Sequence, residues 1–265
     1  AAVKDELISV TAGLLESLDG SMITGCDLNT SLEDMERLMS LTPHVLAAVG
    51  SPVDASAATA HGTLGAVEAV LSSDLKDATP GRALVHGCGA VGGTVAKTLV
   101  EQGWTVFTVD LNRERAGLAG ATPLPPSCPW WEVKVDLMLP CSISGLINSE
   151  IAEGMRTKAV VPAANAPFQN PQLADELRQR GIPVLPDPLV NAGAVIADSI
   201  ERFSPQAWKG AGAEDVYAFV RSEVRRRATE YLSQREQGLS VGDALTEVAA
   251  DTSTDPIGLS FKDTP

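Results

Sequence analysis

The chain has 265 residues, of which 20 are basic and 34 are acidic, so its formal net charge at pH 7 is −14. This size allows one large domain or two small ones, and a hydrophobic content of 44% is typical of a globular protein. The negative charge argues against nucleic acids and anionic membranes as partners, and no apolar run approaches the roughly 20 residues that span a bilayer.

The N-terminal part of the sequence predicts two helices on either side of a turn. Apolar side chains recur close to helical spacing over residues 3–18, which predicts an amphipathic helix. Residues 25–30 are predicted to form the turn. Ser31 and Asp34 resemble a capping box that opens a short second helix, and residues 45–49 are predicted to be a strand or an extended stretch.

A strand–helix–strand pattern begins at Arg82. An apolar strand is predicted at residues 83–86, a glycine-rich turn at 87–93, a helix at 94–101 and a second strand at 104–109. A unit of this kind, about 30 residues long, requires a parallel sheet with a right-handed crossover.

The alternation of strands and helices continues after this unit, which predicts an α/β fold with a doubly wound parallel sheet. Residues 122–131 are rich in proline and are predicted to be a loop, and residues 251–265 a polar, flexible tail. The other predicted strands are residues 137–139, 159–161 and 184–185, and the other predicted helices are residues 59–72, 150–155, 171–180, 191–200 and 213–237.

Cysteine and histidine usage favours neither a disulfide framework nor a metal site. The four cysteines are scattered without a C-x-x-C pair and are expected to be reduced, and there are only three histidines. The chain begins without an initiator Met or a signal peptide, so we expect a fragment or a processed subunit. Its expected location is the cytoplasm, or an organelle stroma or matrix if a transit peptide has been removed.

The glycine-rich turn after the first of these strands fits the dinucleotide-binding pattern G-x-G-x-x-G. Gly87 allows the tight turn, Gly89 lets a pyrophosphate approach the backbone, and Gly92 allows the helix to pack closely on the strand. The N-terminus of the helix, at Ala90 and Val91, offers free N–H groups to the phosphates. A structural turn without a ligand is the alternative.

The acidic residue that ends the second strand favours NAD over NADP. Asp110 lies 18 residues after Gly92, where a carboxylate accepts both ribose hydroxyls of NAD and repels a 2′-phosphate. Arg113 and Arg115 follow and weaken this preference. The alternative role of Asp110 is to cap a helix. Together, the turn and the acid predict a Rossmann domain, which does not by itself name a substrate.

Five further segments, in order along the chain, resemble the Glu/Leu/Phe/Val amino-acid dehydrogenase family. The resemblance extends from about Leu14 to Phe203 and surrounds the glycine-rich turn. The first two segments are G-C-D-L-N-T at residues 25–30 and the turn T-A-H-G at residues 59–62. The other three are the strand end L-P-C at residues 139–141, the segment A-A-N at residues 163–165 and the motif P-D-x-x-x-N-A-G at residues 186–193.

The resemblance implies a two-domain enzyme that deaminates an L-amino acid to its 2-oxo acid and ammonia with hydride transfer to NAD, or catalyses the reverse. It implies that Asp27 handles the protons of the amine and of the attacking water, although an Asx-turn residue is the alternative. It also implies that Gly25, Asn191 and Val195 contact the substrate. The implied cofactor-binding residues are Thr59, Gly87, Gly89, Ala90, Val91, Gly92, Asp110, Leu111, Pro140, Cys141, Ala164, Asn165 and Asn191.

The resemblance favours a hydrophobic or aromatic substrate. Gly25 and Asn29 are similar to the phenylalanine and tryptophan dehydrogenase branch, and the missing side chain at Gly25 leaves room for a ring. The register of the helix over residues 191–198 leaves open whether Ala197 or Asp198 faces the substrate. Asp198 in that position would disfavour an apolar side chain, and a solvent-facing or capping carboxylate is the alternative.

The chain departs from the family before the proposed catalytic aspartate. The family carries a glycine-rich segment with two active-site lysines there, whereas Lys4 is the only lysine upstream of Asp27. We therefore expect a remnant of the α/β catalytic domain at residues 1–51 and an NAD-binding domain at residues 52–203. C-terminal helices that pack back on both are expected at residues 204–250, followed by a tail at residues 251–265.

The missing lysines leave two other functions open. The first is a non-catalytic NAD-binding or structural subunit derived from this family. The second is another Rossmann oxidoreductase, similar to alanine or shikimate dehydrogenase. For the leading interpretation, the expected partners are a small amino acid or 2-oxo acid and further copies of the chain in a homo-oligomer.

Overall fold

Helices surround a five-stranded sheet in the computed structural model, which describes residues 2–26, 30–46, 49–73, 75 and 80–250. The strands are β1 (Arg82–His86), β2 (Thr105–Val109), β3 (Thr122–Pro123), β4 (Leu137–Pro140) and β5 (Ala159–Val160). The helices are α1 (Ala2–Ser17), α2 (Leu32–Met39), α3 (Ala55–Ser73), α4 (Ala90–Glu101), α5 (Arg113–Ala116), α6 (Ser149–Gly154), α7 (Pro171–Gln179), α8 (Asp187–Val190), α9 (Gly193–Phe203), α10 (Pro205–Gly210), α11 (Ala213–Glu236) and α12 (Val241–Ala250).

The sheet is parallel throughout, in the order β3-β2-β1-β4-β5. Leu84 of β1 pairs with Phe107 on one side and with Met138 on the other. Leu84, Leu137 and Met138 are fully buried, as expected for a parallel sheet that helices cover on both faces. The strand order reverses between β1 and β4, which creates a crevice at their carboxyl ends. The predicted doubly wound α/β fold is confirmed.

Helix α3 lies in the largest core, where it packs against α4, α9 and α11. It is buried on nearly all sides over its central turns, so it is a core helix rather than a surface one. A Cβ on Gly65 would overlap the carbonyl oxygen of Arg221 in α11. Glycine therefore allows these two helices to meet at backbone distance.

The N-terminal helices form a smaller core of their own. Ile8 and Leu15 of α1 pack with Met35 and Leu38 of α2 and with Val45. The predicted capping box is present, because Ser31 Oγ accepts a hydrogen bond from the Asp34 backbone N–H while the Asp34 carboxylate accepts one from the Ser31 N–H. The predicted helix α1 is confirmed, but it is not simply amphipathic, because a second apolar row is exposed at Val3, Leu7, Val10 and Leu14.

Several element boundaries differ from the predicted ones. Helix α3 begins four residues earlier than predicted, because Asp54 Oδ1 accepts a hydrogen bond from the Ala57 N–H at 2.7 Å and caps it. Helix α4 likewise begins at Ala90, directly after the glycine turn. The predicted proline loop contains the short edge strand β3, in which Pro123 pairs with Thr108.

The predicted helix over residues 191–200 corresponds to α9, which begins at Gly193 and ends at Phe203, and the short helix α8 precedes it. Val184 makes a single bridge to Val160 instead of a strand, and Val45 makes one to Thr24. Helices α5, α8, α10 and α12 were not predicted, and the predicted tail lies outside the described residues. Among the helices that are described, none is long and apolar enough to cross a bilayer.

Candidate functional site

The glycine turn lies at the carboxyl end of β1, beside the end of β4. Gly87 has a φ of +92°, and a Cβ there would lie 2.7 Å from the Ser142 Cα. A Cβ on Gly92 would overlap the Gly87 carbonyl oxygen and lie 2.8 Å from the Cys141 Cβ. The turn, the start of α4 and the end of β4 are therefore packed at backbone distance.

Gly89 differs from the other two glycines because it faces open space. A Cβ on Gly89 would have no neighbour within 4 Å, and its φ of −70° does not require glycine. Gly89 is the N-cap of α4 and supplies no side chain to the first N–H groups of that helix. Free N–H groups and the positive end of the helix dipole therefore face an open approach, as an anion-binding site requires.

Asp110 closes one side of this approach and is oriented by the backbone. Its Oδ2 accepts a hydrogen bond from the Cys88 N–H and its Oδ1 accepts one from the Asn112 N–H, both at 2.7 Å. A carboxylate oxygen can accept two hydrogen bonds, so each oxygen of Asp110 keeps acceptor capacity for a ligand.

These groups line a cavity of about 460 Å³, here called the β1–β4 crevice. Gly87, Gly89, Asp110 and Cys141 contribute to its walls, as does Leu111, which is 91% exposed. Further lining comes from His86, Val109, Arg115, Pro126, Ser142, Ile143 and Leu146, and a smaller adjoining cavity of about 230 Å³ is lined by Asp110, Arg113, Ala116, Pro123, Leu124, Pro125 and Pro126.

One histidine and two thiols beside Gly87 are neutral at neutral pH. Burial lowers the pKa of His86 to about 4, and its Nδ1 lies 2.9 Å from Ser142 Oγ while its ring packs on Trp130. Burial also raises the pKa of the Cys88 thiol to about 11 and that of Cys141 to about 12. The two thiols stay protonated at neutral pH, which agrees with packed side chains and not with nucleophiles.

A hydrogen-bond network gathers the predicted residues that follow β4 and β5. The Pro140 carbonyl accepts hydrogen bonds from the N–H groups of Ala163 and Ala164, each at 2.9 Å. Asn191 Nδ2 donates to Asn165 Oδ1 at 2.6 Å and to the Ala163 carbonyl at 3.3 Å. Segments that lie up to about 50 residues apart in the sequence thus meet at one edge of the sheet.

A second cavity of about 440 Å³, here called the α3–α9 cleft, lies between the N-terminal helices and the sheet domain. It contains two predicted cofactor residues, Thr59 and Val91. The Thr59 hydroxyl donates to the Ala55 carbonyl at 3.0 Å, which leaves its oxygen free to accept. The other lining residues are Cys26, Thr30, Leu32, Val53, Asp54, Ala55, Ser56 and Ala194.

The predicted substrate residues are only partly brought together. Asp27 and Asn29 lie outside the described residues. A Cβ on Gly25 would lie 2.7 Å from the Leu46 carbonyl oxygen, so this glycine is required by the backbone of its own chain. Val195 is 66% exposed, next to Ala194 in the cleft wall.

The structure also decides the register of α9 that the sequence left open. Ala197 is buried in the main core, whereas Asp198 Oδ2 would lie 3.9 Å from a Cβ on Gly25. Asp198 and Ser142 are two of the residues beside these cavities that sequence reasoning did not assign. Ser142 could have been found from its position two residues after β4, because the parallel pairing of β4 with β1 places it beside Gly87.

Comparisons with known proteins agree with this arrangement. The family model for Glutamate/Leucine/Phenylalanine/Valine dehydrogenase matches residues 113–249. The chain is 29% identical over 204 residues to a phenylalanine dehydrogenase of Bacillus thermotolerans, which covers 72% of this chain and 53% of that protein. It is 30% identical over 191 residues to a leucine dehydrogenase of Thermoactinomyces intermedius, which covers 69% of this chain and 52% of that protein.

A solved structure extends the likeness to nearly the whole chain. The crystal structure of L-tryptophan dehydrogenase from Nostoc punctiforme matches with a TM-score of 0.75 and 26% identity, covering 93% of this chain and 72% of that one. The chain spans about half the length of the phenylalanine and leucine dehydrogenases that it matches. The family match covers more than half of the 265 residues, and the chain therefore belongs to the Glutamate/Leucine/Phenylalanine/Valine dehydrogenase family.

Proposed function

We propose that this chain supplies the NAD-binding domain and one wall of the catalytic cleft of an amino-acid dehydrogenase. The reaction is the oxidation of an L-amino acid to its 2-oxo acid with release of ammonia, or the reverse. The observation that carries this proposal is the open approach at Gly89, between the N-terminus of α4 and the Asp110 carboxylate. A structural turn would not need that open space.

The residues of the β1–β4 crevice fit the adenosine and diphosphate of NAD. Gly89 and the first turn of α4 would hold the diphosphate through backbone N–H groups. Asp110 would accept the ribose hydroxyls, because its backbone contacts fix the carboxylate and leave acceptor sites open. Arg113 and Arg115 line cavities at the same end, so the choice between NAD and NADP depends on their balance with Asp110.

The nicotinamide end would lie toward Thr59 in the α3–α9 cleft and toward Pro140, Ala164 and Asn165 at the edge of the sheet. The chemistry that NAD supplies when bound is acceptance of a hydride from the substrate Cα. Loss of hydride leaves an iminium on the substrate, water adds to it, and ammonia leaves. Asp27, predicted from the family resemblance, would move the protons of the amine and water. That the substrate has a hydrophobic or aromatic side chain stays a prediction. The carboxylate of Asp198, which lies opposite Gly25, would disfavour such a side chain.

One observation favours the non-catalytic alternative for residues 1–265. Lys4 Nζ lies 2.6 Å from Asp34 Oδ2, so this lysine is paired and does not replace the two family lysines. We therefore expect residues 1–265 alone to bind NAD without deaminating a panel of L-amino acids. The measurement is the absorbance of NADH at 340 nm, and turnover by this chain would contradict the expectation.

The experiment that tests cofactor binding is the substitution Gly89→Val. The valine side chain would occupy the open approach, so NADH affinity should fall at least tenfold. The thermal midpoint should stay close to that of the unchanged chain, because a Cβ at this position meets nothing within 4 Å. NADH binding is followed by energy transfer from the chain's tryptophans.

The matched control is Gly13→Val in α1, where a Cβ also has no neighbour within 4 Å. This variant should bind NADH with unchanged affinity. If Gly89→Val binds NADH as tightly as the unchanged chain does, the open approach is not the diphosphate site and the proposal is wrong.

A further inference from the structure

Asp198 presents an unpaired carboxylate beside the α3–α9 cleft. Ala194 lines that cleft, and Asp198 follows it by one helical turn on the same face of α9. The neighbouring Ala197 is only 2% exposed and belongs to the main core. The helix therefore directs residue 198, and not residue 197, toward the N-terminal helices.

The wall opposite Asp198 is Gly25. A Cβ built on Gly25 would lie 3.9 Å from Asp198 Oδ2 and 2.7 Å from the Leu46 carbonyl oxygen. The second distance excludes a side chain at position 25 unless the backbone moves. Position 25 therefore places no side chain in front of the carboxylate.

No cation of the described residues neutralises Asp198. In the ranges 2–26, 30–46, 49–73, 75 and 80–250, Asp198 has neither a hydrogen bond nor an ion pair. Arg202 lies one turn further along α9, is exposed and does not pair with it. The two cations of α1 and α2, Lys4 and Arg37, are each held by another carboxylate.

The carboxylate is also partly withdrawn from water. It is only partly exposed, and burial alone raises its pKa above the usual range of an aspartate. A carboxylate that loses water without gaining a partner is destabilising, and a cationic ligand group would offset that cost. A hydrophobic ligand in the same place would increase it.

We propose that Asp198 binds a positively charged group at the end of the substrate side chain, so that the preferred substrate is a basic L-amino acid or its 2-oxo acid. This inference rests on the proposed function and departs from the hydrophobic or aromatic substrate that Gly25 suggested. The family relationship supplies the reaction at Cα, and Asp198 selects the side chain.

The test compares L-lysine with L-norleucine, which has the same carbon chain without the terminal ammonium. Both share the α-amino and α-carboxyl groups, so the ratio of their affinities isolates the end of the side chain. The 265-residue chain is saturated with NADH, and each amino acid is titrated by calorimetry. We expect lysine to bind at least about tenfold more tightly than norleucine.

Asp198→Asn removes the charge with little change in shape, and the ratio should then fall close to one. Glu101→Gln removes an exposed carboxylate at the far end of α4 and should leave the ratio unchanged. NADH affinity should be the same in both variants.

Three results would overturn the inference while leaving the proposed function intact. They are equal or tighter binding of norleucine, binding of neither amino acid to the NADH complex, and a lysine preference that survives Asp198→Asn. Failure of the unchanged chain to bind NADH is a different result, since it would overturn the proposed function and the inference together.

Discussion

Asp110 is held in place by its own chain before any ligand is present. The N–H groups of Cys88 and Asn112 each donate to one of its oxygens. An acid fixed in this way discriminates by charge and position, since it does not need to be reoriented when a ribose binds. The effect of Asp110 should therefore be visible in the ratio of the affinities for NADPH and NADH.

The substitution Asp110→Asn should shift cofactor preference toward NADPH. Asparagine keeps an acceptor for the Asn112 N–H but loses the charge that repels a 2′-phosphate, while Arg113 and Arg115 remain. We expect the ratio of NADPH to NADH affinity to rise about tenfold. Calorimetric titration with both cofactors measures it, and an unchanged ratio would show that Asp110 does not face the ribose.

Asp34 links α1 to α2 and makes part of the stability depend on pH. Hydrogen bonds from Lys4 and Ser31 lower the pKa of its carboxyl from 3.8 to about 2. A depressed pKa means that the stabilisation is complete above the unfolded value and is lost as the pH falls from about 4 to about 2.

In Asp34→Asn, the free energy of unfolding should be lower than in the unchanged chain at pH 6, and the two should converge by about pH 2. Urea denaturation at a series of pH values measures this. Glu6→Gln, at an exposed site on α1, is the control and should not change the shape of the curve. A constant difference at every pH would rule out the role of Asp34.

At the scale of residues, pattern and spacing predicted much of the crevice. The three glycines and Asp110 follow from local requirements of a strand–turn–helix unit, which a sequence records directly. The direction of Asp198 could not be predicted, because one residue of helix register turns a side chain by about 100° and only packing on α3 decides it. Ser142 was missed because its neighbour Gly87 follows a different strand, β1, and the pairing of β1 with β4 is not local in the sequence.

At the scale of elements, the position of the site depends on how closely α3 and α11 approach. Arg221 of α11 donates to Glu68 of α3 at 2.8 Å through its Nε, and the backbones meet beside it at Gly65. Because Thr59 lies on α3, a shift of that helix would move one wall of the α3–α9 cleft.

The substitution Gly65→Ala should destabilise the fold by about 2 kcal/mol or more, since the added methyl group would overlap the Arg221 carbonyl oxygen. Urea denaturation measures the loss. Gly242→Ala in α12 is the control, because its Cβ would have only Ser240 Oγ within about 4 Å, and it should be neutral or slightly stabilising. Equal stabilities of the two variants would contradict the close approach of α3 and α11.

Element types were predictable where an apolar run or a clear helical period was present, as in β1, β2 and α7. The boundaries at α3 and α4 were not, because caps such as Asp54 and the glycine turn set them through backbone hydrogen bonds. The short strand β3 was hidden by its prolines, which a sheet tolerates at an edge.

At the scale of the whole molecule, two units bound the α3–α9 cleft. The N-terminal helices have their own small core, and the sheet domain carries the crevice with the larger cores. The order of the strands was not readable from the sequence, since it depends on which strands pair across long connections. Once that order is known, the crevice between β1 and β4 follows.

The most direct test of the account is a calorimetric titration of the purified 265-residue chain with NADH. We expect saturable binding of one NADH per chain, tighter than the binding of NADPH. If the titration with NADH shows no heat of binding, the chain has no cofactor site at the β1–β4 crevice.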